Sequence, residues 1–236
     1  MKIAVLYYGQ PRYLDNPRPE EAYNRELFSK YNCTNFVHTW YGRDIKEYEV
    51  STWVASSIQP DPYAVVKIID KFAPVVLKVE TPRAFEIPDY IKKHIEDNFT
   101  YNELNVRNIF SHLYSISEVA RLAEQYQLER GEFFDWFVLA RTDMVIRGMP
   151  DFWKADKDKL FLPNNHSNFP DTIVAFGPKY LSWACNLYQG SQRTKVFEGI
   201  REPTAESFKM QSFLQIHKDT DLAPCGMYGD VVRNNR

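Results

Sequence analysis

Three short segments bring together side chains able to do chemistry, and each follows an apolar run. The first is Gly9-Gln10-Pro11-Arg12. Its backbone N–H groups and guanidinium suit a phosphate-bearing or nucleotide ligand, while the plainer reading is a turn with a solvated arginine. The second is His38-Thr39-Trp40, where His38 is either a satisfied histidine at a strand end or a working one; no carboxylate partner follows from its spacing. The third is Arg141-Thr142-Asp143, at the end of the most apolar stretch of the chain. A carboxylate there is costly unless it meets a metal, an arginine or solvent. Arg141 and Asp143 fall on the same side of an extended chain. They either pair with each other, or Asp143 ligates a divalent ion on diphosphate oxygens while Arg141 offsets phosphate charge.

Weaker candidates lie further along. His166 and Asp171 flank a polar loop, and Asp171 has the chemistry of a general base or of a partner for a sugar hydroxyl, against the default of a solvated side chain. Glu206 reads as a first-turn carboxylate that favours its own helix. Cys33, Cys185 and Cys225 are far apart and lack CxxC spacing, so they read as reduced thiols. Phe133-Phe134 and Trp136-Phe137 read as core.

The elements that must position these residues alternate strand and helix. Ile3–Tyr7, Thr34–Trp40, Val75–Val79, Phe133–Ala140, Leu160–Leu162 and Thr172–Phe176 have the apolar, β-branched and aromatic character of strands. Between and after them, Glu20–Tyr31, Ala64–Phe72, Asn105–Gln127, Lys179–Tyr188 and Glu206–Ile216 have helical spacing. The longest, Asn105–Gln127, places Val106, Ile109, Phe110, Leu113, Ile116 and Val119 at intervals of three and four. Thr81–Asn102, broken by prolines, reads as a surface excursion, and the tail after Gly226 as a fraying end. This alternation predicts one α/β domain over residues 1–236, with a mostly parallel sheet flanked by helices. Ligands of such sheets sit outside the carboxyl ends of the strands.

Composition narrows the partners. The 236 residues are 44% hydrophobic and 15% aromatic, enough apolar material for a folded core. With 29 basic and 31 acidic residues intermixed, the chain has no electrostatic footprint for nucleic acid or anionic lipid. No apolar run approaches the length of a membrane span, and Met1–Tyr7 is too short and strand-like for a signal peptide, so a cytoplasmic protein is expected.

Taken together, Lys2-Ile3-Ala4-Val5-Leu6 with Gly9-Gln10-Pro11-Arg12, Phe36-Val37-His38-Thr39-Trp40, Phe134 through Met144, and Asp171 through Gly177 resemble a group of small GT-A-like glycosyltransferases. These come from bacteria and large-genome viruses and are related to capsule and lipopolysaccharide sugar-transfer proteins. The resemblance implies a Rossmann-like GT-A domain that moves sugar from a nucleoside diphosphate sugar to a glycan or other hydroxyl acceptor. By position it points to Gly9 and Arg12 for the nucleotide, and Gln10 and His38 join them as candidates on that side. Asp143 would hold Mn or Mg, and the catalytic candidates are Arg141, toward the leaving diphosphate, and Asp171, on the acceptor side. One departure stands out: Arg141 occupies the place of the first aspartate in the Asp-x-Asp pattern that carries a metal in better-known GT-A enzymes, so a cationic clamp on phosphate is an alternative to the ion. A non-catalytic binding or assembly protein on the same scaffold remains open. A nucleotidyltransferase is disfavoured because the paired carboxylates for two metals are missing.

Overall fold

The computed structural model describes residues 1–42, 59–99, 102–163, 172–200 and 202–232. The chain opens on β1 (Lys2–Gly9), buried on both faces from Ile3 to Tyr8 as a central parallel strand must be. Next comes α1 (Arg18–Tyr23), with Pro19 in its first turn and Glu20 and Glu21 beside its N-terminus, where fixed φ and negative charge both favour a helix start. It runs on into a π-type turn at Asn24–Phe28. β2 (Asn32–Trp40), α2 (Ala64–Phe72) and β3 (Val76–Glu80) follow.

Then come α3 (Asp89–Asn98) and α4 (Glu103–Arg130). Asn102 caps α4 by accepting the Asn105 N–H at 3.2 Å, and Gly131, at φ +64°, ends it in the left-handed conformation that glycine tolerates. After α4 the chain forms β4 (Trp136–Ala140), β5 (Met144–Arg147), β6 (Leu160–Pro163) and β7 (Ile173–Phe176). Four short helices follow: α5 (Leu181–Cys185), α6 (Leu187–Ser191), α7 (Thr194–Glu198) and α8 (Ala205–Leu214). The last described elements are β8 (Leu222–Cys225) and β9 (Tyr228–Val231).

Seven strands form one mixed, mostly parallel sheet in the order β3-β2-β1-β4-β7-β6-β8. The neighbours β3, β2, β1 and β4 are mutually parallel, β7 is antiparallel to both β4 and β6, and β8 is parallel to β6. Helices cover both faces. Alternation along the strands divides the core: Ala4, Leu6, Phe36, Phe137 and Leu139 pack beneath α4, α5, α6 and α8. Ile3, Val5, Val37, Trp136 and Val138 pack against α1 and α2 on the other side. β5 and β9 form a separate antiparallel pair.

Three features depart from the sequence reading. The supposed excursion at Thr81–Asn102 contains α3, which starts directly after Pro88 and buries Ile91 and Ile95 one helical turn apart. The supposed fraying tail supplies β9, whose Tyr228–Val231 pairs with Arg147–Met144. Phe133 is not core: its side chain is exposed, and the strand starts only at Trp136. Among the described residues, no helix is long and apolar enough to cross a membrane.

Candidate functional site

The strand order reverses at β1: β2 lies on one side of it and β4, reached through α4, on the other. Such a switch point leaves a crevice beyond the carboxyl ends of the two central strands. Those ends here are Gly9 and Ala140, and the chain beyond them carries Gln10, Arg12 and Arg141. In the strands that lead there, two-residue alternation puts Ala4, Leu6 and Tyr8, Phe36 and Trp40, and Phe137 and Leu139 on one face.

These residues do meet. A cleft of about 460 Å³ is lined by Tyr8, Gly9, Gln10 and Arg12 from the end of β1, Trp40 from β2, and Arg141 after β4. Further lining comes from α4, including Asn105, Asn108, Ser111 and His112, and from the start of α8, including Thr204 and Glu206. Arg12 is braced by Gln10, whose side-chain oxygen accepts from both Nε and Nη2 of the guanidinium, the former at 2.8 Å. A second groove, of about 350 Å³ beside α1 and β5, interleaves Arg18, Arg25 and Arg147 with Glu21 and Glu26 and shows no comparable convergence.

Gly9 is pinned on both sides. Its N–H donates to Ser115 Oγ at 2.9 Å and its carbonyl accepts from Thr39 Oγ1 at 2.9 Å. The amide expected to be open to a phosphate is therefore already engaged. At φ +103° this position strains any side chain, which explains the glycine.

His38 does not line the cleft; it is buried beneath it as part of the support for Gly9. His38 Nδ1 lies 2.7 Å from Ser115 Oγ, and Nε2 lies 2.7 Å from Glu80 Oε2. A carboxylate beside Nε2 calls for a proton there, so Nδ1 accepts the Ser115 hydroxyl, whose oxygen is left to receive the Gly9 N–H. Burial pushes the His38 pKa below its ordinary value, outweighing the opposite pull of Glu80. For Glu80, burial acts to raise the carboxyl, but hydrogen bonds from His38 and Lys78 prevail and hold it below the usual range. Lys78 in turn bridges Glu80 at 3.3 Å and Glu118 at 2.6 Å.

Arg141 and Asp143 form a two-pronged ion pair, Nε to Oδ1 at 2.8 Å and Nη2 to Oδ2 at 2.6 Å. Asp143 is 1% exposed and Arg141 19%. The pair is fixed to the fold at its backbone: Tyr23 Oη donates to the Arg141 carbonyl at 2.9 Å, and the Asp143 carbonyl accepts the Val232 N–H at 2.8 Å. Arg141 lines the cleft and Asp143 does not. Both Asp143 oxygens serve the guanidinium, and among the described residues no group of three or more His, Cys, Asp or Glu side chains is arranged to hold a metal. These residues do not fit a divalent cation at Asp143. Asp171 and His166 lie outside the described residues.

The three cysteines are free, and burial pushes the Cys33 and Cys185 thiols up to about 12 and raises Cys225 as well, all away from nucleophilic character. The sequence reading missed Ser115 and the cleft-lining face of α4. A signal for both was present. Asn105, Asn108, His112 and Ser115 recur at spacings of three and four, forming a polar stripe beside the apolar one.

Compared with models of known protein families the chain matches none, and no curated protein matches it. The fold and cleft define an α/β chain with a switch-point crevice.

Proposed function

We propose that the chain binds a nucleoside diphosphate sugar in the cleft between the ends of β1 and β4 and transfers the sugar to an acceptor hydroxyl. One observation carries this reading: the Gly9 loop and Arg141, 132 positions apart, converge on a single cleft at the switch point of the parallel strands, with Arg12 and Arg141 both among its lining residues. Two cations at the edge of a low-dielectric cleft suit a diphosphate, and they stabilise it further as charge develops on the leaving oxygen. In the transfer the bond from the anomeric carbon to the diphosphate oxygen breaks, the acceptor oxygen bonds to that carbon, and the acceptor proton passes to a carboxylate. Glu206 is the one carboxylate among the described lining residues, and Asp171 remains the candidate from sequence. Arg141, oriented by Asp143, takes the charge-offsetting role.

The buried Asp143 carboxylate is also what a non-catalytic binding protein would retain, since there the ion pair serves only the fold. Turnover separates the readings. The protein incubated with uridine, guanosine and thymidine diphosphate sugars, with and without manganese, should release nucleoside diphosphate from at least one donor, and Arg141→Ala should abolish the release. Release from none, with binding retained, would establish the non-catalytic reading.

A further inference from the structure

The cleft is chemically two-ended. Arg141, after β4, and Trp40, at the end of β2, both line it, and α4 contributes Asn108 to the same lining. Trp40 is 3% exposed and its indole Nε1, a donor under any assignment, has no hydrogen-bond partner; the buried Asn108 Nδ2 has none either. A buried donor left unpaired is destabilising, and at a cleft wall a ligand is able to supply the missing acceptor. Neither donor carries charge, so an anion gains less here than beside the guanidiniums. The fitting atom is an uncharged oxygen, a hydroxyl or a carbonyl. Since β2, β1 and β4 are successive neighbours, the two ends are on the order of 10 Å apart, from strand spacings of about 4.8 Å. Free phosphate cannot span that distance, but a phosphate joined to a ring can.

Building on the functional reading above, we propose that Trp40 and Asn108 form a second recognition subsite, which takes an uncharged acceptor oxygen on a ring whose attached phosphate sits at Arg12 and Arg141. A glycosyl hydroxyl and a nucleobase carbonyl are the two sources of that oxygen.

The test is calorimetric binding of inorganic pyrophosphate, the uridine and guanosine diphosphates, and their glucose and mannose conjugates to the wild type and to Asn108→Ala, Trp40→Phe and Trp136→Phe. Trp136 also buries an unpartnered indole nitrogen, but it lies at the opposite end of β4, so it controls for loss of an indole alone. Asn108→Ala keeps a strong helix former on α4 and reads the subsite even where Trp40→Phe loosens the core. The first two variants should weaken a ring-bearing probe about 3- to 10-fold, the range for one uncharged hydrogen bond, and leave pyrophosphate within about 2-fold. Trp136→Phe should change neither. A loss already present with the free diphosphates assigns the nucleobase, and one that appears only with the conjugates assigns the sugar. Equal weakening of pyrophosphate and ring-bearing probes, or no weakening by Asn108→Ala, would overturn the subsite while leaving the functional reading intact. Failure of every probe to bind the wild type would overturn both.

Discussion

Removing either member of the Arg141–Asp143 pair should destabilise the protein unequally, and the inequality follows from burial. Arg141→Ala leaves a carboxylate that is 1% exposed without its partner, whereas Asp143→Asn leaves a guanidinium that is 19% exposed and borders the cleft, where water reaches it. Breaking a fully buried pair costs about 3–5 kcal/mol. Arg141→Ala should fall near the lower end of that range. Asp143→Asn, which keeps the shape and lets the guanidinium solvate, should cost about 1–2 kcal/mol, as for loss of a charge-assisted hydrogen bond. For a chain of this size each kcal/mol lowers Tm by about 2–4 °C. The expected decreases are therefore about 6–12 °C for Arg141→Ala and about 2–8 °C for Asp143→Asn, measured by circular dichroism melts with urea unfolding for the free energies. The double variant Arg141→Met/Asp143→Leu should recover much of the loss, because no unpaired charge remains. A cost for Asp143→Asn equal to or above that for Arg141→Ala, or a double variant no better than Arg141→Ala, would refute the reasoning.

Three further outcomes are expected. Ser115→Ala removes the acceptor of the Gly9 N–H and the partner of His38 Nδ1 together, so it should cost about 2–4 kcal/mol in urea unfolding; Ser115→Thr, which restores a hydroxyl, should recover part of this. Gly9→Ala meets no atom within 4 Å, so its penalty should be backbone strain alone, about 1–3 kcal/mol at φ +103°, with weaker ligand binding as the loop shifts. The lowered His38 pKa means that the unfolded chain takes up a proton before the folded one does, so stability should fall as pH drops below about 6.5. Glu80, also lowered, adds a loss of the same sign at more acid pH. Urea midpoints between pH 7.5 and 5.5 should decline less in His38→Gln than in the wild type; parallel declines would remove His38 from this role.

Much of the sheet was legible because its strands are short apolar runs ending abruptly in polar residues, and β1, β2 and β4 all do so. Alternation put Arg141 and Asp143 on the same side of an extended chain, and the two do pair. Long-range pairing was not legible. Glu80 reaches His38 across 42 positions and Ser115 reaches Gly9 across 106, and no local spacing encodes either contact. The same applies to β9, whose Tyr228–Val231 is mostly polar or small and becomes a strand only by pairing with β5. The spacing of Arg141 and Asp143 posed the choice between an ion pair and a metal ligand, but the contacts that fix their backbone, from Tyr23 and Val232, are far off in sequence.

The central claim is that the cleft between Gly9 and Arg141 receives a diphosphate-bearing ligand. Backbone amide chemical-shift mapping during titration with uridine and guanosine diphosphate tests it most directly. The predicted result is saturable shifts concentrated at Tyr8–Arg12, Arg141 and the first three turns of α4, and lost in Arg141→Ala. Saturable shifts centred elsewhere, or none with any diphosphate at millimolar concentration, would contradict the claim.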